Sequence, residues 1–439
     1  MSDTTAQQRR TDRATNSNRS SGEYEFAPVP EGTGSSGVQI ALIIIGGTIG
    51  FSIFVVAAEI GGSLGLTQAA LAFVLGSAVL GLMGATTSYV GARSRLSTYL
   101  LTTFAFGRRG AKLANLVVAL SLIGWYGVIS NTLGAATQQM LLDQFGVEVS
   151  LYATVTAASA LMITVTLIGF TGIDRLALML VPLMVLFIGY AAWRASGSTS
   201  STLLPAPLYN FQTATSAVIG SYIAGVIIQP DYSRFARSRA GAVIGVFLAL
   251  GVVFPAILFF SALPSIRSGQ TNILEVMALL GLALPAFGLL VLGAWSSNVL
   301  CLYSSSLSLA TLRRGLNLKL ITLACGVVGT AIAFVPIQSY LINFLVGLGI
   351  VIPPIGAIYC IDYLLRRKGE APFEAIDAEP ALRWPALLAW AGGALLGFGS
   401  FSGVVTLTGV ASFDALIGTL VIMLAATLRS GWHSREQPA

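Results

Sequence analysis

Two adjacent hydroxyls, Ser296 and Ser297, stand in the apolar run LGAWSSNVLCLYSSSLSL, three and four residues after Gly293. On a helix, the Gly293 carbonyl and these hydroxyls fall within about one turn. They offer oxygens to a hard monovalent cation, and carbonyls from an unwound first span would complete a shell of about five. The plainer use of such serines is to bond back to their own helix or to let helices approach. Two rings suggest a second chemistry. Trp125 follows Gly124 in SLIGWYGVISNTLG, and Tyr222 lies between Gly220 and Gly225 in IGSYIAG. Aromatics in membrane proteins usually gather at the interfaces. These two lie at mid-depth or beside a break, and with about 7 Å between them they would stack on a planar heterocycle; core packing is the alternative.

Other chemistries are excluded or weak. The single histidine is His433, in the C-terminal tail, so no histidine triad, metal site or proton relay lies in the spans. The carboxylates within or near them are Glu59, Asp174, Asp231, Glu275, Asp362 and Asp414. Asp231 precedes Arg234 by three residues and Asp362 precedes Arg366 by four, spacings that pair charges on a helix. Cys301, Cys325 and Cys360 sit in or beside apolar runs without metal-type spacing and are expected to pack. The chain is not an enzyme by this reading, and no organic cofactor is expected.

The elements that must hold these residues are membrane helices. Of 439 residues, 55% are hydrophobic and 10% charged, against about 25% charged in soluble chains. Apolar runs of about 20 residues, enough to cross a hydrocarbon core, fall at 38–60, 66–90, 112–138, 150–171, 174–193, 214–230, 240–263, 285–310, 318–336, 338–365, 384–402 and 406–428. That is about twelve spans, with a short outer helix expected at 271–282 and no room for a soluble domain. The expected division is a disordered cytoplasmic tail at 1–36, a transporter domain at 37–428 and a second tail at 429–439. Within the transporter, one repeat covers 37–194, a second, inverted one covers 213–365, and extra helices cover 384–428.

All basic residues except Arg194 and Arg267 fall on one side of these spans. This places both termini in the cytoplasm of a bacterial-type inner membrane and accounts for the net charge of +6 without nucleic acid. Two spans carry matching punctuation: GGTIGF (46–51) in the first, and Gly220, Gly225 and Gln229–Pro230 in the sixth. Unwound turns at both places would expose backbone groups at mid-depth, the usual pointer to a transporter's central site.

Over nearly all of 37–428 the chain resembles the nucleobase–cation symporters, most closely their cytosine permease branch. The resemblance rests on GGSLG (61–65), VGARSRLSTYLLTTFAFGRRG (90–110), IGWYGV (123–128), IGSYIAG (219–225), PDYSRFAR (230–237), LPAFGLLVLGAWSSN (284–298) and IPPIGAIYCIDYLLRRK (352–368). It implies an all-α, five-plus-five inverted-repeat sodium-symporter fold with two extra C-terminal helices. It also implies a substrate stacked between Trp125 and Tyr222, its edge met by backbone around Ser221, Ala224 and Gly225. A sodium ion would be held by Ser296, Ser297, the Gly293 carbonyl and first-span carbonyls near Gly50, Ile53 and Phe54.

Three positions depart from the family pattern. Leu122 stands where the branch has glutamine, Gly293 where it has a base-binding asparagine, and Val299 where it has an aspartate, while the preceding Asn298 is kept; Leu122, Gly293 and Asn298 are expected with the substrate set. The first two changes remove amides that read the polar edge of cytosine, and a site without them cannot select by those bonds. The expectation is therefore import of a nucleobase or related nitrogen heterocycle other than cytosine, such as a substituted pyrimidine, with sodium as the coupling ion. The competing expectations are an amino acid or amine carried by the same fold, and proton coupling. Sequence does not set the oligomeric state.

Overall fold

The first element begins at a capping box. Ser36 Oγ accepts the Gln39 amide at 3.2 Å, and Gln39 Oε1 accepts the Ser36 amide at 2.8 Å, satisfying two donors near the helix start. The computed structural model describes residues 28–29, 34–168, 173–197, 208–268, 270, 273–310, 312, 317–335 and 340–433. Helix α1, Gly37–Thr48, stops at Ile49 (ψ 76°) and at Gly50, which is extended at φ −125° and ψ 153°. Helix α2, Phe51–Ser94, is bent at Gly65, whose φ of 72° suits glycine best. The expected first span is therefore broken within itself, and Gly65 separates it from the second span.

The remaining helices follow the expected runs, except Thr98–Phe106, which lies between two of them. They are α3 (Thr98–Phe106), α4 (Arg108–Phe145), α5 (Leu151–Ile168), α6 (Ile173–Ser196), α7 (Phe211–Ile227), α8 (Gln229–Ser233) and α9 (Arg239–Leu248). A π-helical turn, Ala249–Val253, carries α9 into α10 (Phe254–Ser268). Then come α11 (Ile273–Leu279), the expected short helix, and α12 (Ala283–Ala310), α13 (Leu318–Ala333), α14 (Leu341–Val351) and α15 (Pro353–Ile361). Helices α16 (Trp384–Phe401) and α17 (Ala411–His433) close the chain. Among the described residues eight helical stretches are long and apolar enough to cross a membrane, and α1, α7 and α13 are shorter apolar helices. The β structure among the described residues is one isolated bridge, Ser35 to Ala236.

Packing sorts the helices into two groups. Helices α7, α9 and α10 pack around α2 and α1 packs on α9, while α5, α12 and α13 pack around α4. Helix α6 lies between the groups against α10 and α12, α14 covers α7, and the α16–α17 pair packs on α14 and α15.

The sixth span corrects one expectation. Gly220 and Gly225 do not unwind it; both lie inside the regular helix α7, and the interruption comes at Ile228–Gln229–Pro230. Proline has no amide to continue the ladder and disfavours helix before it. Gly220 instead permits contact, since a Cβ there would overlap the Leu345 carbonyl of α14.

Asp362 pairs with Arg366 and also with Arg367. The Asp231 carboxylate accepts the Thr98 amide at 2.8 Å, at the start of α3, while Arg234 Nε reaches the Asp231 backbone carbonyl at 3.3 Å. Glu59 accepts the Tyr209 hydroxyl at 2.7 Å, and Asp414 accepts the Thr408 amide at 2.9 Å. The three cysteines are free thiols. Residues 1–27 of the N-terminal tail, Arg313, Arg314 and Arg435, and the side chains of Asp174, Arg175, Glu275 and His433, lie outside the described residues.

Candidate substrate and cation site at the broken first span

Helix α1 is 12 residues long, so its C-terminal end lies about 18 Å from its start at ~1.5 Å per residue. A helix C-terminus presents carbonyls and the negative end of its dipole, and the start of α2 presents the positive end. The Ile49 amide still reaches the Ile45 carbonyl at 3.0 Å, and the Thr48 hydroxyl donates to that carbonyl at 2.8 Å. Beyond the break, the Gly50 carbonyl accepts the Ile53 and Phe54 amides at 3.0 and 3.4 Å. Ile53 and Phe54 are both buried.

Three elements meet this break. A Cβ on Gly50 would lie 3.3 Å from Ser297 Oγ, so the second hydroxyl of the α12 pair faces the interrupted backbone. A Cβ on Gly47 would lie 2.8 Å from the Tyr222 hydroxyl, so the α7 ring reaches the end of α1. That hydroxyl donates to the Ile44 carbonyl at 3.5 Å. Ser296 and buried Gly293 precede Ser297 on α12. The arrangement presents neutral oxygens beside a negative helix end, a setting that favours a monovalent cation.

The rings occupy the same buried cluster with separate partners. Trp125 on α4 is 7% exposed and meets Phe344 of α14 edge-on, with centroids 5.9 Å apart and planes at 76°. Tyr222 tilts at 47° against Phe254, centroids 6.0 Å apart. Leu122, one turn before Trp125, is buried in the cluster that also holds Ala224. Phe344 escaped the sequence reading. Its signal was Gly124: a Cβ there would lie 2.9 Å from the Phe344 ring, so the glycine beside Trp125 makes room for a ring from a distant span.

Two expected contributions differ. Ser221, Ala224 and Gly225 lie within regular helix, where intrahelical bonds take up the backbone; the Ala224 carbonyl accepts the Ile228 amide at 3.1 Å and the Ser221 hydroxyl donates to the Val218 carbonyl at 2.7 Å. What they can present is small side-chain surface. Asn298 was expected with the substrate set, but it is five positions past Gly293, about 140° around the helix at ~3.6 residues per turn. It is fully buried and donates from Nδ2 to Ser130 Oγ on α4 at 2.9 Å.

Comparison with known proteins gives the family and the fold. The family model described as permease for cytosine/purines, uracil, thiamine, allantoin matches residues 29–420. The cytosine permease of Escherichia coli O157:H7 is 28% identical over 405 residues, covering 90% of this chain and 92% of its own. Among solved structures, the inward-facing conformation of Mhp1 superposes with a TM-score of 0.78 at 18% identity, covering 93% of each chain. Mhp1, a nucleobase-cation-symport-1 family transporter, in a closed conformation with bromovinylhydantoin bound, gives 0.75 at 19%, covering 94% of this chain and 96% of that one. A Na+-coupled sialic acid symporter in a substrate-bound outward-open state gives 0.62 at 13%, covering 90% of each. The shared fold is the all-α, five-plus-five inverted-repeat architecture.

Proposed function

The chain belongs to the permease family for cytosine/purines, uracil, thiamine and allantoin, and from that premise we propose that it imports a nucleobase or related nitrogen heterocycle by sodium symport. It is a multi-pass membrane permease and not an enzyme. The observation that carries the proposal is that Tyr222 reaches Gly47 and Ser297 faces Gly50, three residues apart at the broken first span. One place thereby joins a substrate ring to a cation-type hydroxyl. Such contiguity is how a transporter ties two ligands: each stabilises the same local arrangement, and the two affinities rise together.

In this reading the solute rests on the Trp125 ring, with Tyr222, Ala224 and Gly225 of α7 on its other side and Ser221 within the wall behind. Ser296, Ser297, the Gly293 carbonyl and the backbone near Gly50, Ile53 and Phe54 hold sodium. The solute is one with a less polar edge than cytosine. Leu122 is buried beside Trp125 and Gly293 carries no side chain, so neither position offers an amide to the base. The proposal also takes the repeats as 37–194 and 213–365 and the extra helices as 384–428, with both termini in the cytoplasm of a bacterial-type inner membrane.

A thermal-shift screen of the purified chain tests this. Nucleobases, substituted pyrimidines, hydantoins, amino acids and amines are compared in sodium and in choline, because a ligand bound only by the folded state raises its stability. The expected result is a heterocycle, ranked above cytosine, that stabilises more in sodium. A leading amino acid or amine would refute the substrate class. Indifference to sodium together with a response to pH would replace sodium by the proton.

A further inference from the structure

Helices α4 and α12 pack along one another and carry, on the reading above, the substrate ring and the cation hydroxyls. One side-chain hydrogen bond crosses from one to the other deep in that interface. Asn298 Nδ2 donates to Ser130 Oγ at 2.9 Å, and both residues are 0% exposed. The bond sits in a buried polar cluster. The Tyr126 hydroxyl donates to the Ser159 carbonyl of α5 at 3.1 Å. Asn298 Oδ1 and Ser159 Oγ have no hydrogen-bond partner among the described residues.

An orphaned buried acceptor is costly, and a leucine would fill the same space without that cost. A lone amide in an apolar helix interface has one well-attested use: it fixes register and rotation, because any slip strands it without a partner. The neighbours of this amide indicate what is being fixed. Asn298 follows Ser297, whose hydroxyl faces the broken backbone. Ser130 lies five residues beyond Trp125, about 7.5 Å along α4 at ~1.5 Å per residue. Rotation of α12 against α4 would carry the hydroxyl pair away from the break while the ring stayed in place.

We propose that Asn298 is a positioning residue: clamped to Ser130, it holds the cation hydroxyls in register with the Trp125 ring and so couples the two ligands. The inference rests on the shared-site reading above but has its own readout.

The test uses the full chain and the tightest-bound of cytosine, uracil and thymine, with its Kd measured in sodium and in choline. In Asn298→Ala and in Ser130→Ala the sodium-to-choline affinity ratio is expected to fall about tenfold, equivalent to ~1.4 kcal/mol, while affinity in choline holds. The double variant should be no worse than either single one, and Ser130→Thr, which keeps the hydroxyl, should retain the ratio. Ser130→Ala carries the test alone should Asn298→Ala fail to fold. A lower Tm with an unchanged ratio would make the bond mere packing, and an equal loss in both media would make Asn298 a direct ligand; either overturns the proposal. If the wild-type protein ignores sodium, the sodium reading falls separately and the ratio is taken between acidic and neutral buffer. A wild-type chain indifferent to both leaves nothing to couple, and the clamp is refuted.

Discussion

Removing the Trp125 ring should cost about 1–3 kcal/mol of solute binding, the range measured when a base loses an aromatic platform. Trp125→Ala is therefore expected to raise Kd by one to two orders of magnitude, checked by isothermal titration; an unchanged Kd would move the solute elsewhere. Phe344, edge-on at 5.9 Å, supports that ring, so Phe344→Ala should weaken binding less than Trp125→Ala and by the same route. Ser297 tests the cation half. Ser297→Ala should lower apparent sodium affinity while Ser297→Thr preserves it, measured as the sodium concentration giving half-maximal thermal stabilisation. If the alanine variant keeps the wild-type midpoint, the cation does not touch this hydroxyl. At this scale the sequence shows residue type, an indole and a pair of hydroxyls in apolar runs, and the fold sets Trp125 against Phe344 and Ser297 at Gly50. Phe344 was illegible because an apolar ring in the tenth span looks like any lipid-facing or core residue until the chain brings it to Gly124. Asn298 was placed with the substrate set on the family resemblance, which does not show that its amide turns to Ser130 of α4.

Helix breaks divide along a similar line. The first was readable because GGTIG concentrates poor helix formers in one turn, and the chain indeed leaves helical geometry at Ile49–Gly50. The second was read in part: Gln229–Pro230 does interrupt the sixth span, but glycine serves two ends in membrane helices, unwinding them and letting them touch, and at Gly220 the second use wins. The backbone of α14 passes directly over it at Leu345, and Gly349 on α14 likewise meets the Ser216 carbonyl of α7. Gly220→Val should consequently act as an overpacking change, costing about 1–3 kcal/mol by forcing α14 away from α7. A lower Tm in detergent and a reduced folded yield are the expected outcomes. Because α14 also carries Phe344, any surviving protein should bind the solute more weakly. A variant with wild-type Tm would show that the two helices stand further apart than this contact requires.

At the scale of the whole molecule, the basic side is stitched across both halves of the chain. Arg367 pairs with Asp362 and Glu379, Glu379 pairs again with Arg383, and the Arg367 guanidinium lies 4.4 Å over the Phe104 ring at the end of α3. The Arg108 and Arg109 amides at the start of α4 reach the Pro380 and Ala381 carbonyls at 3.0 and 2.7 Å, and the Arg383 amide reaches the Phe106 carbonyl at 2.9 Å. The connection between α15 and α16 is thereby fastened to the α3–α4 junction from the first half. The Asp362–Arg366 spacing was legible in sequence; Glu379 was not, since a loop carboxylate declares its partners only after the chain folds. Burial pushes the Glu379 carboxyl up, but hydrogen bonds from Arg383 and Arg367 and their charges outweigh it and hold it below the ordinary 4.5. A carboxyl depressed in the folded state contributes stability that is fully present above its unfolded value and is lost as pH falls through the lower, folded one. Glu379→Gln should therefore lower Tm at neutral pH, where two arginines lose their shared anion. The gap between variant and wild type should then narrow as the buffer is taken below 4.5, because protonation makes the native residue resemble the amide. Differential scanning fluorimetry across that range decides it: a gap constant with pH would mean that the glutamate holds the junction by shape, and that its charge contributes nothing.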